Sequence, residues 1–141
     1  MAQNSFVGTW RLISAEHRDS DGQVAYLYGK DPVGYIMYND DGHMAVAIAS
    51  SGRSNFVSED RVTATAEEKV AAVNTYTSYC GTYEIRDDRV IHHVEVSLFP
   101  NRVGTDQERI FRFDDDTLSL TTPPLLSGGK RRVGHLVWKR V

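Results

Sequence analysis

Cysteine is nearly absent from this chain of 141 residues, which contains only Cys80. A single cysteine excludes an intramolecular disulfide and a zinc site built from several cysteines. Long apolar runs are absent as well. The longest, Met44 to Ala49, has six residues, whereas a membrane-spanning helix needs about 20. We therefore expect no membrane partner and no disulfide framework.

Positive charge is not in excess either. The 16 lysines and arginines are outnumbered by 19 acidic residues, which leaves a net charge of −3. Proteins that bind nucleic acid normally carry a basic excess or stripe, so we expect no nucleic-acid partner. The first five residues lack the basic and apolar parts of a targeting segment. Together with the single cysteine, this favours a cytoplasmic protein, and we expect a bacterial one.

The common catalytic and cofactor signatures are also missing. The chain has no glycine-rich nucleotide-binding loop, no His-Glu-x-x-His motif, no Cys-x-x-Cys motif and no Gly-x-Ser-x-Gly motif. We therefore expect no cofactor. A metal site needs three or four converging ligands, and the His92-His93 strand offers only two, so no metal is expected.

Strand-favouring residues, by contrast, are abundant. Valine, isoleucine, threonine and the aromatic types fill 45 of the 141 positions. Turn-forming clusters recur about every ten residues, which is typical of an antiparallel sandwich or barrel. We predict one all-β domain over residues 1–141. Its predicted strands lie near residues 8–17, 23–28, 33–39, 43–50, 81–86, 89–99, 106–113, 117–122 and 133–140.

One α-helix is predicted to interrupt these strands, over about residues 66–80. Thr65 and Glu68 fit a capping box, in which each side chain meets the other residue's backbone amide. The positions with helical spacing are Val70, Val73, Thr77 and Cys80. Gly81 would then end the helix in a left-handed conformation. We expect this helix to cover one open end or one face of a barrel.

Two arginines fall on aromatic strand faces when side chains are assigned by alternation. Arg109 shares its face with Phe111 and Phe113, and Arg140 shares its face with Trp138. Buried arginine is costly unless it is paired or stacked, so each needs a partner.

A stripe of alanines marks the strand over residues 43–50. Ala45, Ala47 and Ala49 alternate with larger apolar residues. The stripe leaves room either for a helix that docks outside or for a ligand inside. Because the strand is apolar on both faces, a homodimer is a further expectation.

The densest polar cluster lies on the strand over residues 89–99. Adjacent side chains on a strand point to opposite faces, so His93, Glu95 and Ser97 share one face and His92 lies on the other. A histidine beside a carboxylate could act as a general acid or base. Alternatively, the first three side chains face water and His92 is a hydrogen-bonded core residue.

Several motifs, in order along the chain, resemble one family. The Gly8-Thr9-Trp10 start is similar to that of lipocalins and other calycins, in which an arginine from the last strand lies beside the tryptophan. The further motifs are Tyr28 to Ile36, Asp41 to Met44, Tyr79 to Glu84, His92 to Asn101, Gly104-Thr105, Leu118 to Thr121 and Val137 to Arg140. Over about residues 5–140 the chain resembles the bacterial and fungal lipocalin-like domain family.

The resemblance implies a small antiparallel β-barrel of about 8–10 strands with one α-helix, whose cavity binds a small apolar molecule. Arg140 would then stack on Trp10, with a cation–π energy of roughly 0.5–2 kcal/mol. Related barrels include cyclases and isomerases that need no cofactor. The chain departs from the family pattern at position 102, where an arginine replaces an expected aromatic residue.

We expect this barrel to bind a small hydrophobic or aromatic metabolite. The residues expected to contact the ligand are Tyr35, Met37, Tyr83, His93, Glu95, Arg109, Phe111 and Trp138, although any single aromatic member is more often an ordinary core residue. Arg109 would orient a carboxylate or phenolate, because a guanidinium offers a fixed fork of donors.

One alternative is an enzyme, a cyclase or isomerase in which His93 and Glu95 are catalytic. A second is a dimerising structural domain without a ligand.

Overall fold

The first and last long strands of the chain pair with each other and close the sheet into a barrel. In the computed structural model, which describes residues 4–141, ten strands and one α-helix follow one another. The elements are β1 (Gly8–Asp19), β2 (Val24–Ala25), β3 (Val33–Tyr38), β4 (His43–Ala49), α1 (Ala66–Asn74), β5 (Tyr76–Arg86), β6 (Arg89–Ser97), β7 (Asp106–Asp114), β8 (Thr117–Thr121), β9 (Leu125–Ser127) and β10 (Lys130–Arg140).

Eight of these strands form the barrel wall, in the order β1, β3, β4, β5, β6, β7, β8 and β10. The paired strands are antiparallel. The short strands β2 and β9 extend β1 and β10 at one end of the barrel. The all-β barrel predicted from the turn spacing and the family motifs is therefore confirmed, and the strand count lies within the predicted range.

The helix begins as predicted but ends early. Thr65 and Glu68 form both hydrogen bonds of the capping box, yet the helix stops at Asn74 and strand β5 begins at Tyr76. The predicted end at residue 80 is wrong, because residues 76–80 gain a complete set of partners on strand β4. Tyr76, Thr77 and Tyr79 are types that favour strands.

Gly81 does not end the helix but lies within β5. A Cβ atom at this position would collide with the backbone carbonyl of His93 on the neighbouring strand. Helix α1 has no buried residue, so it does not cover the barrel as expected. Elsewhere in the chain, the predicted strand near residues 23–28 is reduced to the two residues of β2, and β9 was not predicted.

Two bulges interrupt the alternation of side chains along the wall. Between Leu12 and Ser14 the β1–β10 register shifts and leaves Ile13 unpaired. Strand β6 likewise carries Glu95 as an extra residue opposite the Cys80–Gly81 step. A bulge reverses which side chains face inward beyond it. Strict alternation would place Val96 and Leu98 on the same face as His92, but beyond the bulge both point outward.

Aromatic side chains close the lower end of the barrel. The Arg140 guanidinium lies 4.1 Å from the centroid of the fully buried Trp10 ring, which confirms the predicted stacking. It also donates hydrogen bonds to the carbonyls of Ser5 and Val7. Gly8 permits this approach, because a Cβ atom there would lie 2.7 Å from an Arg140 nitrogen.

Phe6 fills the space above this floor. Its ring lies within 6.4 Å, between centroids, of four other aromatic rings, those of Tyr38, Tyr83, Phe111 and Phe113. The lower half of the barrel is thus packed with side chains, and any free volume must lie above it.

Candidate ligand-binding site

A cavity of about 310 Å³ occupies the upper half of the barrel. Most of its wall is apolar, with Ile36, Val46, Ile48, Leu120, Leu136 and Trp138 among the lining side chains. Phe99, Leu126 and Ser127 line it nearer the open end, which is formed by the loops between strands. Because a dry cavity of roughly 150 Å³ holds a benzene ring, this one has room for a single substituted aromatic molecule.

The charged side chains of the cavity wall are all basic. Arg102, Arg109 and Arg132 line the cavity, and no aspartate or glutamate among residues 4–141 does so. Asp19 is the cross-strand neighbour of Arg132 on β1 and lies 3.7 Å from the ammonium group of Lys130. Asp19 thus lies at the end of its strand, outside the lining, and offsets part of the charge of Arg132. No carboxylate of residues 4–141 forms an ion pair with Arg102 or Arg109.

Arg109 is the most deeply buried of these arginines, with 8% of its surface exposed. It donates to the backbone carbonyl of Glu108 at 2.8 Å and, more weakly, to the Gln107 side chain at 3.5 Å. No ion pair joins it to a carboxylate within residues 4–141. A guanidinium has five N–H donors, so most of its hydrogen-bonding capacity stays free.

His92 lies beside Arg109 in the wall, and two tyrosines hold its ring. Its Nε2 is 2.7 Å from the Tyr38 hydroxyl, and its Nδ1 is 2.6 Å from the Tyr79 hydroxyl. Burial, assisted by the positive charge of Arg109, lowers the pKa of His92 to about 3. Burial also raises the pKa values of both tyrosines. All three side chains are therefore neutral at neutral pH.

Three buried polar atoms in the part of the chain that the structure describes have no hydrogen-bond partner. They are Nδ1 of His17, Nε of Arg132 and Nε1 of Trp138. All three residues line the cavity. Arg132 Nε and Trp138 Nε1 carry N–H groups, whereas His17 Nδ1 donates or accepts according to the tautomer of its neutral ring. Because buried polar groups are nearly always satisfied in folded proteins, the two unpaired N–H groups in residues around one cavity favour a ligand with acceptor oxygens.

The sequence profile of the "Lipocalin-like domain" family matches residues 7–141. The chain belongs to this family. The predicted family membership is thereby confirmed, and the lipocalin-like domain covers nearly the whole chain.

Two known proteins are similar to this lipocalin-like domain. The 4'-hydroxy-3'-methoxypropiophenone carrier protein ppsC of Aspergillus oryzae is 31% identical over 107 residues, which cover 70% of this chain and 96% of that protein. A mutant of the fluorescent protein UnaG, solved as a crystal structure, aligns over 96% of both chains with 15% identity and a TM-score of 0.38. The curated relative is fungal, so the expected bacterial origin stays a prediction.

Of the eight residues expected to contact a ligand, Arg109 and Trp138 line the cavity of this lipocalin-like domain. Tyr83 and Phe111 lie in the packed lower half around Phe6. The other four lie on the outer wall or away from the cavity. They are Tyr35, Met37, His93 and Glu95, each of them outside the set of lining residues.

His93 forms an ion-pair cluster on the outer wall. Its Nδ1 is 2.6 Å from an Asp106 oxygen and its Nε2 is 3.1 Å from a Glu84 oxygen. The hydrogen bond to Asp106 raises the pKa of His93. Glu95 is the exposed bulge residue and is no partner of His93 in the described part of the chain. The two side chains therefore do not form the acid–base pair that we considered.

Several cavity residues were not expected from the sequence. His17 lines the cavity because the bulge at Ile13 reverses which side chains of β1 face the interior beyond it. His92 and Tyr79 were treated as core or helix residues. The alternation of small and large residues along β4 could have identified the side chains of that strand that line the cavity. Val46 and Ile48 oppose the alanine stripe, which forms part of the outer wall, so the large side chains face the cavity.

Proposed function

We propose that this lipocalin-like domain binds a small aromatic metabolite inside the barrel and carries it without converting it. The observation that carries the proposal is the 310 Å³ cavity, whose apolar wall holds unpaired donors. Specific ligand sites have this composition, with an apolar lining and few placed polar groups. The name of the Aspergillus oryzae relative, a carrier of a phenolic ketone, agrees with such a ligand.

Binding is favoured over catalysis by the state of His92. Both ring nitrogens already have tyrosine partners, and the pKa of about 3 keeps the imidazole neutral. A general base near neutral pH needs a free nitrogen and a pKa near the working pH. His93 and Glu95 are the alternative acid–base residues, and neither lines the cavity.

The proposal is tested by calorimetric titration with 4'-hydroxy-3'-methoxypropiophenone. We expect saturable binding at one site per chain and recovery of the ligand unchanged. Ile48→Trp fills the cavity and should abolish binding. Ile110→Trp is the matched control, because Ile110 lies on the outer wall of β7 and is 43% exposed, and it should bind as the original protein does.

Two results would contradict this function. If the Ile48→Trp variant binds as tightly as the Ile110→Trp variant, the ligand is not inside the barrel. If the recovered ligand is chemically changed, the protein is an enzyme. Native mass spectrometry of the freshly purified protein would in addition reveal a natural ligand by its mass.

We also propose a cytoplasmic location for this carrier. The described structure places Cys80 as a free thiol on the outer wall, and a reducing compartment suits a free thiol. No helix within residues 4–141 is long and apolar enough to cross a membrane. Fractionation of cells that express the chain with a small tag would test the location.

A further inference from the structure

The polar end of the cavity is built around one buried positive charge. Only 8% of the surface of Arg109 is exposed. Its two hydrogen bonds go to Gln107 and Glu108, which precede it in the chain. An unpaired buried charge is expensive. A guanidinium in a wall without carboxylates is therefore suited to a negatively charged ligand group.

The tyrosine–histidine chain supplies a second donor at the same place. The Tyr38 hydroxyl is fully buried, and its only hydrogen-bond partner among residues 4–141 is His92 Nε2. Because the buried hydroxyl has no other acceptor there, its proton is satisfied only if it points to Nε2. The proton of the neutral His92 ring then lies on Nδ1. Nδ1–H donates to the Tyr79 oxygen, so the Tyr79 proton stays free to point into the cavity that Tyr79 lines.

We infer that the cavity binds the ionised form of an aromatic acid, a phenolate or carboxylate, with the anionic oxygen between Arg109 and Tyr79. This inference rests on the proposed function and specifies its ligand. His92 acts as a positioning residue, because it orients the Tyr79 proton without touching the ligand oxygen. The apolar wall would hold the aromatic ring.

The other titratable groups around the cavity do not reverse this preference. The titratable or charged side chains that line it are His17, Tyr28, Tyr79, His92, Arg102, Arg109 and Arg132. Burial lowers the pKa of His17 and raises the pKa of Tyr28, so both are neutral at neutral pH. The remaining charges are the three arginines, and each of them favours an anion.

The test uses 4-nitrophenol and its methyl ether, 4-nitroanisole. The two share a ring and a nitro group, but only the phenol can ionise, and its ionised form is yellow. Binding is followed by quenching of the tryptophan fluorescence, since Trp138 lines the cavity. We expect the phenol to bind at least tenfold more tightly than the ether above its pKa, and the pKa of the bound phenol to fall by about one unit.

Substitutions test which residues cause the preference for the anionic probe. Arg109→Met should bind the two probes equally and restore the ordinary pKa of the phenol, whereas Arg109→Lys should retain part of the shift. Tyr79→Phe and His92→Leu should each reduce the shift severalfold. The bound probe's pKa is informative for His92, because a merely structural role would not move it.

Two failures can be told apart. If the ether binds as tightly as the phenol and the phenol pKa is unchanged or raised, the anion preference is wrong while the cavity function stands. If neither probe binds, the proposed function fails and the inference fails with it. Since the titration of the unmodified protein decides between these results, the inference does not depend on a variant that folds poorly.

The outer wall of strands β3 to β6 has an apolar groove that is separate from the cavity. A groove of about 470 Å³ runs along it, with Ala45, Ala47 and Cys80 among its lining residues. One side is the ridge formed by Tyr35 and Met37 on β3. The other is formed by Val96 on β6 and by Leu98, which directly follows that strand. No residue that lines the groove is charged, and the cores of protein interfaces are depleted of charge.

We propose that this groove is the contact surface between two copies of the chain. The large apolar residues Val33, Tyr35, Met37, Val96 and Leu98 are each 37–63% exposed. They expose roughly 500 Å² together, which is near the upper end for a monomer. A stable complex buries roughly 800 Å² per partner, so this apolar patch would form the centre of such an interface rather than all of it. A ridge beside a groove is self-complementary about a two-fold axis.

Sedimentation equilibrium tests the dimer with Ala47→Arg in the groove and Ile110→Arg on the outer wall of β7, outside the groove. We expect a dimer for the unmodified chain and for Ile110→Arg, and a monomer for Ala47→Arg. Labelling of Cys80 by a thiol reagent should slow as the protein concentration rises. Val96→Asp, at a 63% exposed position, replaces Ala47→Arg if that variant misfolds. An unmodified chain that stays monomeric at millimolar concentration would overturn the proposal.

Discussion

Tyr79 and His92 lie on neighbouring strands with the Tyr79 hydroxyl 2.6 Å from His92 Nδ1. The Tyr38 hydroxyl occupies the other ring nitrogen, so the imidazole is held from both sides inside the barrel. This short chain of hydrogen bonds separates the packed floor from the open cavity. It also makes the stability of the protein depend on pH.

The pKa of His92 makes the protein less stable in acid. Unfolded, the imidazole takes up a proton below its ordinary pKa of 6.5, but folded it does so only near 3. The unfolded state thus binds more protons between these values, and stability falls as the pH decreases from 6.5 towards 3, by up to about 1.4 kcal/mol per pH unit. His17, whose pKa is also lowered, adds to this loss. Urea unfolding at several pH values measures the slope, which His92→Leu should reduce.

His93 is the matched control, because its pKa is shifted in the opposite direction. Asp106 raises the pKa of His93, so its stabilising contribution is present below 6.5 and is lost as the pH rises through the folded value. His93→Gln should lower stability in acid and leave the His92 slope in place. An identical acid slope in the His92→Leu variant and the unmodified protein would contradict the assignment.

The Tyr38 hydroxyl should make His92 replacements costly. His92→Leu removes the one partner that this fully buried hydroxyl has within residues 4–141, and an unsatisfied buried group costs about 1–3 kcal/mol. The double variant Tyr38→Phe/His92→Leu removes both polar groups and should regain part of that free energy of unfolding. Urea denaturation of the two single variants and the double variant measures the coupling. A double variant that is no more stable than His92→Leu alone would show that the unsatisfied Tyr38 hydroxyl is not the cause of the loss.

The stacking of Arg140 on Trp10 should contribute to stability. Arg140→Met removes the cation–π contact at 4.1 Å and the two hydrogen bonds to backbone carbonyls. We expect a loss of about 1–3 kcal/mol in the free energy of unfolding. The neighbouring exposed residue provides the control, since Lys139→Met should change stability by less than about 0.5 kcal/mol. Equal effects of the two substitutions would show that the floor contact is energetically neutral.

Arg109 should have the opposite effect on stability. A buried charge without a carboxylate partner destabilises the empty protein, so Arg109→Met should raise the melting temperature while it weakens anion binding. Arg112→Met, on the solvent side of the same strand, should change neither property. The measurement is thermal unfolding without ligand. A melting temperature lowered by Arg109→Met would mean that the arginine serves the fold rather than a ligand.

Local sequence signals predicted the framework of this protein well. Turn spacing and strand-favouring residues indicated an antiparallel barrel, the Thr65–Glu68 pair marked the start of the helix, and the Gly8–Trp10 motif with Arg140 located the floor. These signals succeed because each depends on a few residues close in sequence or on a motif whose chemistry needs one geometry. The helix end failed, because pairing with β4 outweighs the helical spacing of residues 76–80.

The candidate site was predicted far less well, and two single residues explain much of the failure. The bulges at Ile13 and Glu95 each insert one residue into a strand and reverse the inward faces beyond it. Alternation along the sequence cannot reveal a bulge, because the extra residue is defined only by its partner strand. Strict alternation therefore does not predict His17 in the cavity, and it places Val96 on the inner face although the side chain points outward.

By itself, the sequence determined the class of the fold, the two arginines on aromatic strand faces, and the absence of disulfides and of several-cysteine zinc sites. Only the tertiary structure decided that Arg109 meets Tyr79 and His92 around a cavity while His93 lies outside. The physical reason is closure of the sheet. Which neighbour a side chain meets across the barrel depends on strand register and bulges, and these are properties of paired strands rather than of any one segment.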